Sequence, residues 1–186
     1  QKRDEDIYYC HLIHLMILIL SNTGMRFSEL HQLQYKNIKT LRNKQVSIKI
    51  DKMTTKVRRE RTIGANEKVD DYIKRIKKLT NFKSKESYLF SSYRKDDLCH
   101  KSMLYRAFKK VKDRVATKYS DDEFDISKTL YCLRHMFISM HLRKKVNAYN
   151  LAKFCGTSLN QIQVTYDAMR TEVASQEILD VQKSVT

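Results

Sequence analysis

The chain has no proline and no tryptophan, and only three of its 186 residues are glycine. Flexible linkers of the usual kind are therefore excluded, and the absence of proline suits a helix-rich fold. Its four cysteines, Cys10, Cys99, Cys132 and Cys155, lie far apart with no CxxC pair. That spacing excludes a disulfide framework and points to reduced thiols. A zinc site from Cys99–His100 and Cys132–His135 matches no ligand spacing used by such sites. Long apolar runs are also missing. The longest, Leu12 to Leu20, is interrupted by His14 and falls short of the roughly 20 residues that a bilayer span takes, so a membrane-spanning protein is not expected. The first residues, Gln1 to Asp6, are of mixed charge and do not resemble a signal peptide. The chain starts without Met and runs straight into a helical pattern, as a piece of a longer protein would.

Acidic residues are scarce: 21 Asp+Glu stand against 37 Lys+Arg, a formal net charge of +16. Basic residues cluster at 36–61, 101–118 and 134–153, whereas 167–186 is acidic. One basic run is an ordinary solvated face. Three of them on one domain attract polyanions, with nucleic acid ahead of an anionic membrane surface.

A length near 190 fits one domain or one with a small appendage. Residues 7–20 are apolar nearly all round, as in a buried central helix, and 21–24 break it. A helix over Ser28 to about Lys36 follows, with Leu30 and Leu33 inward. Residues 45–51 alternate Val46, Ile48 and Ile50 with polar residues, the period of a half-buried strand. Strands near 61–63 and 39–41 would complete a small antiparallel sheet. Periodicity then predicts helices over 67–79, 101–119, 133–144 and 148–154, with Gly156 as a C-terminal stop. Ser158 and Gln161 read as a capping box opening a further helix that carries or closely precedes Tyr166. Residues 121–125 form an acidic loop, and 171–181 is weakly amphipathic.

Four segments carry a resemblance. Asn22-Thr-Gly-Met-Arg26-Phe-Ser-Glu29-Leu30 resembles the first arginine motif of the tyrosine recombinases, the phage integrase family. Thr55-Lys56-Val-Arg-Arg-Glu-Arg61-Thr-Ile63 resembles its hairpin lysine motif, and Leu133-Arg134-His135-Met-Phe-Ile its second arginine motif. Cys155-Gly156-Thr157-Ser158, with Tyr166 nine residues after Thr157, resembles its nucleophile segment. Each string is weak alone; their order and separation together are specific.

The resemblance implies a mainly α fold with a small antiparallel β-sheet, and site-specific DNA strand exchange through a 3′-phosphotyrosine. Such chemistry needs a nucleophile that stays attached, cations for the charge that develops on phosphate, and an acid for the departing 5′-oxygen. By resemblance Tyr166 is the nucleophile, Arg26 and Arg134 clamp the phosphate, and Lys56 is the general acid. Lys52 competes with Lys56, which has the better spacing to Arg61 and Ile63. Glu29 sits where the family often has a bracing acid. Arg58, Arg59 and Arg61 are candidate phosphate contacts.

Two positions depart from the commonest pattern: Tyr131 and Thr157 stand where histidines, or a tryptophan at the second, are usual. Both can hydrogen-bond a phosphate oxygen, and neither is a base near pH 7. His135 lies about 100° round a helix from Arg134 and is not taken as the missing histidine. The resemblance further implies no metal or cofactor, double-stranded DNA as partner, a homo-tetramer on DNA, and a cytoplasmic setting in a bacterial or phage-infected cell. Residues 1–170 would form the catalytic domain and 171–186 a tail for contact between protomers, with the N-terminal DNA-clamping domain absent from this fragment. A DNA-binding module with a decayed site and a type IB topoisomerase are the rival readings.

Overall fold

The computed structural model describes residues 2–51, 60–119, 125, 127–166 and 175. Helix α1 (Lys2–Thr23) is the axle of the fold. Its apolar residues point in nearly every direction, and Tyr8, Tyr9, Leu12, Ile13, Leu15, Met16, Ile19 and Leu20 are all buried. A helix apolar all round has to be covered on several sides, and here the helices over Glu67–Leu79, Lys101–Ala116 and Tyr131–Arg143 do so. Gly24 ends it with φ +60, and its backbone N–H donates to Leu20 O at 2.9 Å.

The second predicted helix is shorter than its pattern suggested. Helix α2 covers only Phe27–His31, and a 3₁₀ turn (Tyr35–Asn37) follows. The intervening backbone pairs with 85–89: Leu89 N–H donates to Leu33 O and Tyr35 N–H to Ser87 O. Leu33 and Tyr35 are both buried across a half-exposed Gln34. That is a strand's period, and it diverts the chain from helix.

Strands β1 (Ile38–Thr40), β2 (Val46–Ile50) and β3 (Arg61–Ala65) form an antiparallel sheet in the order β1-β2-β3. Ile48 faces Ile38 on one side and Ile63 on the other, and Ile50 faces Arg61 at the last pair before the β2–β3 connection. The inward face carries Val46, Ile48, Ile50, Ile63 and Ala65.

Helix α3 (Glu67–Leu79) matches its predicted limits and buries Val69, Ile73 and Ile76. Helix α4 (Lys101–Ala116) ends three residues before its expected limit. Three short helices complete the described chain: α5 (Tyr131–Arg143), α6 (Ala148–Cys155) and α7 (159–166). Gly156 terminates α6 in the left-handed region at φ +66. Ser158 Oγ accepts from Gln161 N–H at 3.0 Å, half of the expected capping box. The Gln161 side chain reaches forward to Thr165 instead.

Two apolar clusters result. The larger runs from α1 through the sheet, α3 and α4; the smaller joins Phe137, Ile138, Leu142, Leu151, Ala152, Cys155, Ile162 and Tyr166 from α5–α7. No described helix is long and apolar enough to cross a membrane. The predicted acidic loop at 121–125 and the tail at 171–181 lie almost wholly outside the described residues.

Candidate active site

Glu29 is the centre of a charged knot. It is fully buried on α2, and both of its oxygens are occupied. Oε2 accepts from Arg26 backbone N–H (3.0 Å) and Arg61 Nη2 (2.7 Å); Oε1 accepts from Arg26 Nη1 (3.0 Å) and Arg61 Nη1 (3.0 Å). The Arg61 pairing is bidentate, the geometry in which a planar guanidinium best matches a carboxylate. Burial alone would raise the Glu29 carboxyl, but the hydrogen bonds and charge of Arg61, then Arg26, outweigh it and hold it below its usual 4.5.

The knot is tied to the end of α6. Arg61 Nε donates to Phe154 O (3.1 Å), and Arg26 Nη2 donates to Gly156 O (2.6 Å). Glycine is favoured at 156 on two counts. Its φ is positive, and a Cβ there would lie 2.6 Å from Arg61 Nη1.

Arg134 on α5 is 3% exposed. Its Nη1 donates to Gly24 O (2.8 Å) and to Cys155 O (2.7 Å). The first carbonyl lies two residues before Arg26 and the second immediately precedes Gly156. Arg26 and Arg134 therefore hang on the same two turns. At Gly24 a Cβ would meet Phe137 at 2.4 Å, so the close approach of α5 to this turn also depends on glycine.

Tyr166 lies on α7, 8% exposed, among the apolar residues of the smaller cluster. Burial, and to a lesser degree Tyr131, push its phenol up to about 12; the Arg134 charge works in the opposite direction. Its hydroxyl lies 2.6 Å from His135 Nδ1. Burial and the Arg134 charge push the His135 imidazole below 6.5. Tyr131, half exposed at the first turn of α5, presents its ring to His135 edge-on at 4.7 Å and 79°. Thr157 lines an open cleft of about 910 Å³ together with Arg26, Arg61, Lys153, Phe154 and Gln161.

The fold thus brings Arg26, Glu29, Arg61 and Arg134 into one group, with Tyr166 and Tyr131 beside Arg134 and Thr157 on the cleft wall. Lys56, Arg58 and Arg59, with the rival Lys52, lie outside the described residues. Arg61 was expected to face a phosphate. Three of its donors instead point inward to Glu29 and Phe154 O, and its side chain is only 12% exposed. The alternation of β3 carried that signal, since Arg61 shares parity with buried Ile63. His135 is the site residue that its helical angle from Arg134 hides. The usable signal was its i, i+4 relation to Tyr131, which puts the two rings on one face. Among the described residues no three His, Cys, Asp or Glu side chains converge as a metal site would need.

The sequence profile described as the phage integrase family matches residues 9–172. No curated protein matches the sequence. Solved structures share the fold at low identity, among them the following. The XerH site-specific recombinase bound to difH substrate is 22% identical, covering 89% of this chain and 45% of its own, with TM-score 0.65. The XerA recombinase is 18% identical, with 94% and 62% covered and TM-score 0.67. The Tn1549 transposon integrase in complex with circular intermediate DNA is 19% identical, with 86% and 56% covered and TM-score 0.61. The chain spans about half the length of the first two structures it matches.

Proposed function

We propose that this chain, which belongs to the phage integrase family, is the catalytic part of a site-specific recombinase that cuts and rejoins DNA through a 3′-phosphotyrosine. The observation that carries this reading is the shared mooring of Arg26 and Arg134 on the turns at Gly24 and Cys155–Gly156, with Tyr166 packed alongside. Two guanidiniums held within one group of side chains suit a single phosphate. Arg134 leaves Nη2 and Nε without a protein partner among the described residues, as Arg26 leaves Nε. Donors fixed before the reaction stabilise the charge that grows on the non-bridging oxygens at little reorganisation cost.

In this reading the Tyr166 Oη–phosphorus bond forms as the phosphorus–5′-oxygen bond breaks, and Lys56 protonates the departing oxygen. The phosphotyrosine conserves the bond for rejoining. The fixed cations meet the developing charge, so the reaction is proposed to run without metal. Glu29 and Arg61 hold the clamp, while Arg58 and Arg59 contact the DNA backbone, as do Tyr131 and Thr157 at the phosphate. Binding by this piece is then electrostatic and weakens steeply with salt. Four protomers assemble on two DNA sites. The apolar side chains that α5 and α7 leave exposed, Met136, Met140 and Val164, support such contacts.

A nicked suicide DNA substrate tests the proposal. The wild-type chain should form a covalent adduct, in chelator as well as in plain buffer, and Tyr166→Phe should form none while keeping its fold and DNA affinity. The trapped synaptic complex should sediment as a tetramer. No adduct from wild type under any condition would instead support a DNA-binding module, the reading favoured by Tyr131 and Thr157. Relaxation of a plasmid lacking a target site would point to a topoisomerase.

A further inference from the structure

We propose that His135, through Nδ1, is the proton acceptor for the Tyr166 phenol. The inference deepens the reading above and rests on it. A phenol near 12 is a poor nucleophile at neutral pH and needs a base within hydrogen-bond reach. Nδ1 of His135 lies 2.6 Å from the hydroxyl, and the two ring centroids are 5.7 Å apart.

The other acid–base groups of the site do not serve. Both Glu29 oxygens are taken by guanidinium and backbone donors. Burial raises the Cys155 thiol. Tyr131 and Thr157 carry hydroxyls that are not bases near pH 7.

The ionic surroundings of the imidazole suit an acceptor. The groups that face it among the described residues are Tyr131 and Arg134 on α5 and Tyr166 on α7. None is a carboxylate that would favour the protonated ring. A neutral imidazole has one N–H and one lone pair. With the proton on Nε2, Nδ1 accepts the phenol O–H. The edge-on ring of Tyr131 sets the plane of the imidazole. Arg134, the preceding residue of α5, places the phosphate clamp and the base on one rigid element.

The step balances. The phenol O–H bond breaks and an Nδ1–H bond forms, leaving imidazolium. Oη bonds to phosphorus while the phosphorus–5′-oxygen bond breaks, and that oxygen takes its proton from Lys56. On rejoining, the imidazolium returns its proton to the departing phenolate.

Single-turnover adduct formation on the suicide substrate tests this with wild type, His135→Ala and His135→Asn. Asn keeps a hydrogen-bonding atom near the position of Nδ1 but cannot take the proton. Both variants should form the adduct about 10²–10⁴-fold more slowly, with DNA affinity and melting temperature near wild type. The wild-type rate should fall as pH drops through a group titrating below 6.5. Both variants should lose that limb and instead gain rate steadily with rising pH, and added imidazole should restore His135→Ala. If His135→Ala is poorly folded, the Asn rate and pH profile decide. The inference is overturned if wild type forms the adduct and the folded variants stay within about threefold of it with an unchanged pH profile, or react faster, which would make His135 a restraint on the tyrosine. Those outcomes leave the recombinase reading standing. A wild type that forms no adduct at all removes both.

Discussion

The two apolar clusters are built differently, and the proposed site is divided between them. The larger wraps α1, whose side chains are covered by α3, α4, α5 and the sheet, and it backs Arg26 and Glu29. The smaller is a thin layer of three short helices that holds Tyr166 and lies beside His135. Its outer face keeps apolar groups in solvent, with Val164 72% exposed. Arg134 spans the seam, since one guanidinium nitrogen binds Gly24 O on the first side and Cys155 O on the second. The proposed clamp is thus anchored in deep core through Arg26 and across the seam through Arg134, while the proposed nucleophile lies in a layer with far less behind it. A site assembled this way needs charged stitches, because apolar burial alone does not specify how the two layers meet.

Substitutions can break or sharpen that contrast. The largest effect is expected at Leu12, which is fully buried in α1. Leu12→Ala should cost about 4 kcal/mol in urea unfolding, toward the upper part of the range for such cavities. Leu151→Ala in the thin layer should cost about 2 kcal/mol, because three short helices can close on the gap. Equal costs would contradict the contrast.

Glu29→Gln should fall between them, at about 3 kcal/mol near neutral pH, since it strips the carboxylate from two guanidiniums that are less than one-fifth exposed. The Glu29 carboxyl is held below 4.5 in the folded state. Its contribution is therefore fully present above 4.5 and is lost as pH falls through the depressed value. Urea titrations at a series of acidic pH values should show wild type losing stability and converging on Glu29→Gln. Parallel curves would mean that the knot does not hold the seam.

Gly156→Ala should have the smallest effect, about 1–2 kcal/mol, from the left-handed backbone and the displaced Arg61. If Arg61 is the stitch proposed, the same change should also slow adduct formation on the suicide substrate. A variant that loses stability with an unaltered rate would confine Gly156 to the fold.

Most elements were legible because their signals are local. The period-two run at 46–50 and the 3–4 spacing at 69–76 each reflect burial on one side, which any covering layer satisfies. The predicted helix over 28–36 exceeded its limit because Leu33 and Tyr35 bury through pairing with residues 85–89, and no pattern inside the segment reports a partner fifty residues away. The candidate site divides along the same line. Arg26, Arg134 and Tyr166 stood out through their motifs. The inward turn of Arg61 and the contact of His135 with Tyr166 depend on groups 32 and 31 residues away.

The sequence by itself determined most of the helices and strands, that α1 must be central, and which residue types could handle a phosphate, because periodicity and side-chain chemistry are properties of neighbours along the chain. Only the tertiary structure decided that Glu29 draws Arg61 away from solvent and that an imidazole lies against the phenol. The first follows from the reach of Arg61 on β3 to Glu29 on α2, and the second from the packing of α5 against α7, two layers bridged by guanidiniums that reach across to the glycine turns.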